Sequence, residues 1–136
     1  MAKVIALDYG SKRTGIAVTD ELQIIASGLT TIHTKDVFRF LKDYFSKNEV
    51  ELIVLGDPKR LDGSATHSTA DVHELKRKLG ITFGKEVVLV DERFTSKMAF
   101  QTMIDSGLKK KQRQNKALVD EISATIILQS YLETKS

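Results

Sequence analysis

Val4-Ile5-Ala6-Leu7-Asp8-Tyr9-Gly10-Ser11-Lys12-Arg13-Thr14-Gly15-Ile16-Ala17-Val18-Thr19 is the stretch whose reading decides the fold. Val4 to Leu7 is a short continuous apolar run, which suits a strand buried on both faces. Gly10 to Arg13 carries the turn chemistry that ends it, and Thr14 to Thr19 returns as a second strand. Asp20-Glu21 predicts a tight turn, with Gln23 to Thr31 as the third strand. The chain therefore begins as a three-strand antiparallel meander.

From Asp36 the period changes. Val37, Phe40, Leu41, Tyr44 and Phe45 recur at the spacing of an amphipathic helix, with Thr34 as its expected N-cap. The aromatic residues of that stripe, with Phe38, read as core and not as a base-stacking platform. Leu52 to Leu55 is a second buried strand, stopped by Gly56-Asp57-Pro58, and a polar loop through Gly63 leads to a helix carrying Val72, Leu75 and Leu79. Gly80 is the expected end of that helix. Val87 to Val90 is a third apolar strand, followed by Asp91-Glu92-Arg93, a helix capped near Thr95 or Ser96, and a last helix from about Lys116 to Leu132. The order βββαβαβαα predicts an α/β fold. Its mixed five-stranded sheet combines the meander with two parallel strands, places the first strand centrally, and carries helices on both faces.

Length and composition agree. The 136 residues hold 41% apolar and 29% charged residues with one proline, so a single domain spanning residues 1–136 is expected. A domain of this size buries roughly two-thirds of its unfolded surface. No apolar run approaches the ~20 residues that span a bilayer, and the first strand begins within three residues of Met1. The expectation is a cytoplasmic protein without a signal peptide or membrane contact. With no cysteine, thiolate metal sites and a cysteine nucleophile are excluded, so any metal here binds oxygen or histidine nitrogen. The net charge of +3 is local: Lys109, Lys110, Lys111, Arg113 and Lys116 stand within nine residues without an acid, leaving the rest slightly acidic. A concentrated basic patch beside a near-neutral body attracts a polyanion through counterion release.

Ligands of open α/β sheets collect at the carboxyl ends of the parallel strands, and acids stand at each such end. Asp8 closes the first strand, Asp57 follows the second parallel one, and Asp91 and Glu92 close the third, while Asp120 lies near the start of the last helix. Carboxylates brought together repel unless a divalent cation neutralises them, and hard Mg²⁺ prefers such oxygen ligands. Ions held this way can activate water and stabilise the leaving oxygen in phosphodiester cleavage. Asp8 to Gly15 also reads D-x-G-x4-G, a turn that lets backbone N–H groups approach phosphate, and Lys12 and Arg13 within it can hold phosphate by charge. Spacing alone leaves Asp91 open against Glu92, and Glu121 open against Asp120.

With Leu7 to Asp20, Asp91-Glu92-Arg93-Phe94-Thr95-Ser96, Gly56-Asp57-Pro58 with Asp62-Gly63-Ser64, and Asp120 in the final helix, the sequence resembles the YqgF/RuvX family. That resemblance covers nearly the whole chain. It implies an RNase H-like fold and a Mg²⁺- or Mn²⁺-dependent nuclease acting on ribosomal RNA precursor, or on branched DNA as a Holliday-junction resolvase. Asp8, Glu92 and Asp120 are then the catalytic, metal-binding carboxylates. Lys12, Arg13, Arg93, Lys109, Lys110, Lys111, Arg113 and Lys116 are the expected nucleic-acid contacts. The chain departs from the family at Asp57, where an apolar residue is usual. Asp57 reads as a turn-former before Pro58, with an extra ligand as the rival. Relatives often carry basic residues in the loop after Gly63, and Ser64 to Ser68 has none.

Other function classes fit less well. Sugar-kinase or actin-like ATPases share the D-x-G-x4-G turn but bind nucleotide between two domains, for which the length leaves no room. A nucleic-acid-binding module without catalysis would not carry clustered acids that repel phosphate. His67, Asp71 and His73 have the spacing of a zinc half-site, yet surface histidines are the expectation. A junction resolvase would work as a homodimer with two sites, whereas an RNA processor need not.

Overall fold

The computed structural model describes residues 2–57, 67–91 and 116–135. Among them five strands form one sheet in the order β3-β2-β1-β4-β5. These are β1 (Lys3–Tyr9), β2 (Arg13–Thr19), β3 (Ala26–His33), β4 (Val50–Asp57) and β5 (Glu86–Asp91). The first three pair antiparallel and β1, β4 and β5 pair parallel, so the first strand is central, as the alternation of elements requires. Three α-helices are described: α1 (Val37–Lys47), α2 (His67–Phe83) and α3 (Lys116–Lys135). The helix expected near Thr95, and the loop through Gly63, lie outside the described residues.

Strand alternation sorts the sheet into two faces. Ile5, Leu7, Ile16, Ile53, Leu55 and Val87 pack against Val37 and Leu41 of α1 and Val72, Leu75 and Leu79 of α2. On the opposite face Val4, Ala6, Ala17, Leu52 and Val54 meet Ala124, Ile127 and Leu128 of α3. The α1 aromatic residues belong to the first layer: Phe38, Phe40, Tyr44 and Phe45 border that core, and the Phe45 and Phe38 rings lie 5.1 and 5.9 Å from Phe83.

Three local expectations need correction. α2 does not stop at Gly80 but runs to Phe83, and the chain leaves it at Gly84, whose φ of 62° is the left-handed conformation that glycine adopts without a Cβ penalty. The Gly84 N–H then donates to the Gly80 carbonyl at 3.0 Å. Thr34 does not cap α1. It opens a short 3₁₀ turn (Thr34–Asp36), and its hydroxyl donates to the Gly10 carbonyl at 2.5 Å and lies 3.0 Å from the Thr14 hydroxyl. A long-range partner in the β1–β2 turn thus outcompetes the local cap. The β2–β3 connection is also longer than Asp20-Glu21, with β3 starting at Ala26 and not Gln23. Asp20 Oδ1 accepts the N–H groups of Ile24 and Ile25 at 2.8 and 2.9 Å, which holds its carboxyl below the usual carboxylate range. Gln23 takes a φ of 57° within this turn.

Candidate active site

Asp8 sits next to the last residue of β1, on the face that Val4 and Ala6 present to α3. In the antiparallel ladder its partner directly across is Gly15 of β2. A glycine is required there: a Cβ on Gly15 would fall inside the van der Waals envelope of the Asp120 carbonyl group and crowd the Glu121 N–H. The α3 backbone at Asp120 and Glu121, one turn into the helix, therefore rests on Gly15 of β2, across from Asp8, and the missing side chain at position 15 sets the separation.

That contact separates two acids which periodicity leaves equivalent. Asp120 lies over Gly15, the cross-strand neighbour of Asp8, and its Oδ2 accepts from Arg13 Nε at 2.9 Å. The Glu121 side chain instead lies against Gly28 of β3, on the outer strand and one strand further from β1. Of the two side chains, that of Asp120 is held by Arg13 of β2, the strand beside β1, and that of Glu121 lies over β3.

Arg13 begins β2, and its carbonyl accepts the Gly10 N–H at 2.9 Å, which closes the turn out of β1. Lys12 at the apex is exposed, and its carbonyl accepts the Thr34 N–H at 3.0 Å. The turn is thus fixed by its backbone and by Thr34 on one side while Lys12 remains open to solvent. Sequence reasoning placed Arg13 only as a phosphate contact. Its ion pair with a carboxylate 107 residues away carries no local signal.

Parallel pairing sets the remaining strand ends. Leu7 is level with Leu55, and Gly56 with Val90, so Asp8 stands at the level of Gly56 and Val90. Asp57 and Asp91 are register partners one residue further along. Glu92, Arg93, Lys109, Lys110, Lys111 and Arg113 lie outside the described residues, and Lys116 is the first residue of α3. Among the described residues no three His, Cys, Asp or Glu side chains are grouped to hold a metal ion. Asp8 lies across the ladder from Gly15, on which the backbone of Asp120 packs, and both residues carry hard oxygen donors. That donor set fits Mg²⁺ or Mn²⁺ better than a softer ion. A cleft of about 620 Å³ between β3 and α1 has Ile32, His33, Asp36 and Phe40 in its lining, and neither Asp8 nor Asp120 is among its described lining residues.

Among the described residues no helix is long and apolar enough to cross a membrane. Comparison with known proteins supplies the relationship. A protein from Flavobacterium psychrophilum named "Putative pre-16S rRNA nuclease" is 60% identical over 136 residues, covering 99% of each chain. Among solved structures, the Fowlpox virus resolvase in complex with its substrate Holliday junction DNA superposes with a TM-score of 0.60 at 13% identity, over 98% of each chain. T. thermophilus RuvC in complex with a Holliday junction substrate gives 0.56 at 13% identity, over 100% of this chain and 98% of that one. At such identities the likeness shows the fold, and the fold is the RNase H-like one. The model of the RuvX family, described as Holliday junction resolvase, matches residues 2–134, and the chain belongs to that family.

Proposed function

We propose that this chain is a divalent-metal-dependent nuclease, a hydrolase acting on the phosphodiester bonds of structured nucleic acid, and that its substrate is the 16S ribosomal RNA precursor. The observation that carries the reading is the seating of Asp120 over Gly15, the residue directly across from Asp8. The names of its relatives support the substrate. Asp8 and Asp120 are ligands of Mg²⁺ or Mn²⁺, with Glu92 as the third. Glu92 is taken over Asp91 for that role on the resemblance of the Asp91-Glu92-Arg93-Phe94-Thr95-Ser96 segment to the family. The bound ion supplies Lewis acidity and an acidified water. The chain's own residues do the rest: Lys12 and Arg13 draw the phosphate to the end of β1, and Arg93 with the basic segment from Lys109 to Lys116 holds the flanking backbone by charge. The protein works in the cytoplasm as a single domain.

A purified Asp8→Asn variant tests the reading, because it removes a ligand charge without changing volume. It should lose cleavage in both Mg²⁺ and Mn²⁺ while keeping the wild-type circular dichroism spectrum; full activity in either ion rejects the carboxylate site. Glu92→Gln should be equally damaging and Asp91→Asn much milder. Precursor rRNA and four-way DNA junctions belong in the same assay, since the family's description names the junction. Cleavage of the junction alone, in a dimer with two sites, would favour the resolvase reading.

A further inference from the structure

The Arg13–Asp120 pair unites a residue from the phosphate-facing turn with a proposed cation ligand. Its contact is a single one, Nε to Oδ2 at 2.9 Å, and the two side chains are 36% and 23% exposed. A guanidinium has five N–H donors in a planar fork that matches two phosphate oxygens. A one-point, partly solvated ion pair is weak and readily exchanged. The same Asp120 carboxylate cannot serve Arg13 and a divalent cation equally, because both compete for its charge.

We propose that Arg13 is an exchange residue: it neutralises Asp120 in the free protein and transfers to a backbone phosphate when nucleic acid binds, which releases the carboxylate to the divalent cation. This rests on the reading of Asp8 and Asp120 as cation ligands. Arg13 thus contacts the substrate phosphate in the bound state and governs the availability of Asp120 in the free one. Its position suits the transfer: the backbone of the turn is held by the Gly10–Arg13 bond and by Thr34, so only the side chain has to move. Nucleic acid and cation then bind cooperatively, and linkage makes the effect reciprocal. The exchange also keeps the neighbouring carboxylates from repelling each other while no ion is bound.

The test is calorimetric titration of the full chain with Mn²⁺, in the presence and absence of an RNA hairpin whose own Mn²⁺ uptake is titrated separately and subtracted, and whose integrity is checked on a gel afterwards. In wild type the hairpin should tighten Mn²⁺ binding about five-fold, the lower end of usual coupling strengths. Arg13→Gln should bind Mn²⁺ more tightly than wild type without RNA and gain nothing when the hairpin is added. Arg13→Lys, a point charge without the fork, should retain part of the coupling. The Mn²⁺-induced rise in Tm, followed on the same samples, should be larger in Arg13→Gln than in wild type. A full RNA-dependent gain in Arg13→Gln, or none in wild type, overturns the exchange. Asp8→Asn separates the two ideas: if it binds Mn²⁺ as wild type does, the cation site itself is wrong. If it loses Mn²⁺ while Arg13→Gln keeps the coupling, only the exchange fails.

Discussion

The two faces of the sheet are built on opposite principles. Under α1 and α2 the sheet offers Ile5, Leu7, Ile16, Ile53 and Leu55, and the helices answer with Val37, Leu41, Leu75 and Leu79, so bulk fills the space between layers. Under α3, Val4, Leu52 and Val54 also meet Ile127 and Leu128, but the central and outer strands add Ala6, Gly15, Ala17 and Gly28, and the helix answers there with Ala124. Large side chains hold a helix away from a sheet, whereas absent ones let its backbone descend. Bulk on the first face supplies stability through buried apolar area. Sparseness at these positions of the second supplies placement, and it is there that the α3 backbone at Asp120 rests on Gly15, directly across from Asp8.

The faces should therefore break in opposite ways, the first by deletion and the second by addition. Leu7 is fully buried, so Leu7→Ala should cost about 3–4 kcal/mol in denaturant unfolding, from lost transfer energy plus a residual cavity. Gly15→Ala adds one methyl group where the Asp120 carbonyl already sits, and should cost about 2–3 kcal/mol by overpacking. Its distinguishing result is a loss of cleavage, and of Mn²⁺-induced stabilisation, in protein that is still folded, because α3 must withdraw from Asp8. Leu7→Ala should lose activity only in step with its unfolding. Equal losses of function per unit of stability in both variants would dissolve the distinction between the faces.

Gly28→Ala sharpens the same point. The atoms that its Cβ would meet belong to the Glu121 side chain, which can swing aside, so the cost should stay below about 1 kcal/mol with activity retained. The smallest effect concerns the exposed β2–β3 turn. The Asp20 carboxyl is held below its ordinary range by the Ile25 and Ile24 N–H groups, so its stabilisation is present above the unfolded-state pKa of about 3.9 and fades as pH falls through the lower folded value. Melting curves of Asp20→Ala should lie slightly below wild type at neutral pH and converge with it under strongly acid conditions. A gap that widens on acidification would reverse the sign.

Much of this was legible in one dimension. The apolar run from Val4 to Leu7, the i, i+3, i+4 stripe from Val37 and the β-α-β alternation after it are local periodicities that report which face each residue buries, and they carry the strand order with them. Acids at the strand ends are legible too, because Asp8 and Asp57 occupy positions that the strand boundaries mark. What local pattern cannot express is contact between distant segments. Gly80 looks like a helix end because glycine is common there, yet Leu79 and Phe83 packing on the core carries α2 on to Gly84. Thr34 looks like a cap until Gly10 and Thr14 compete for its hydroxyl. Asp120 and Glu121 are equivalent on a helix that is apolar nearly all round, and only the descent of α3 onto Gly15 separates them. The sequence by itself determined the elements, their order and the chemistry available at the end of β1. The tertiary structure decided which acid's backbone rests on Gly15, across from Asp8, and that Arg13 pairs with its carboxylate, because proximity across 107 residues depends on how closely two layers approach, and that distance is set by the side chains missing between them.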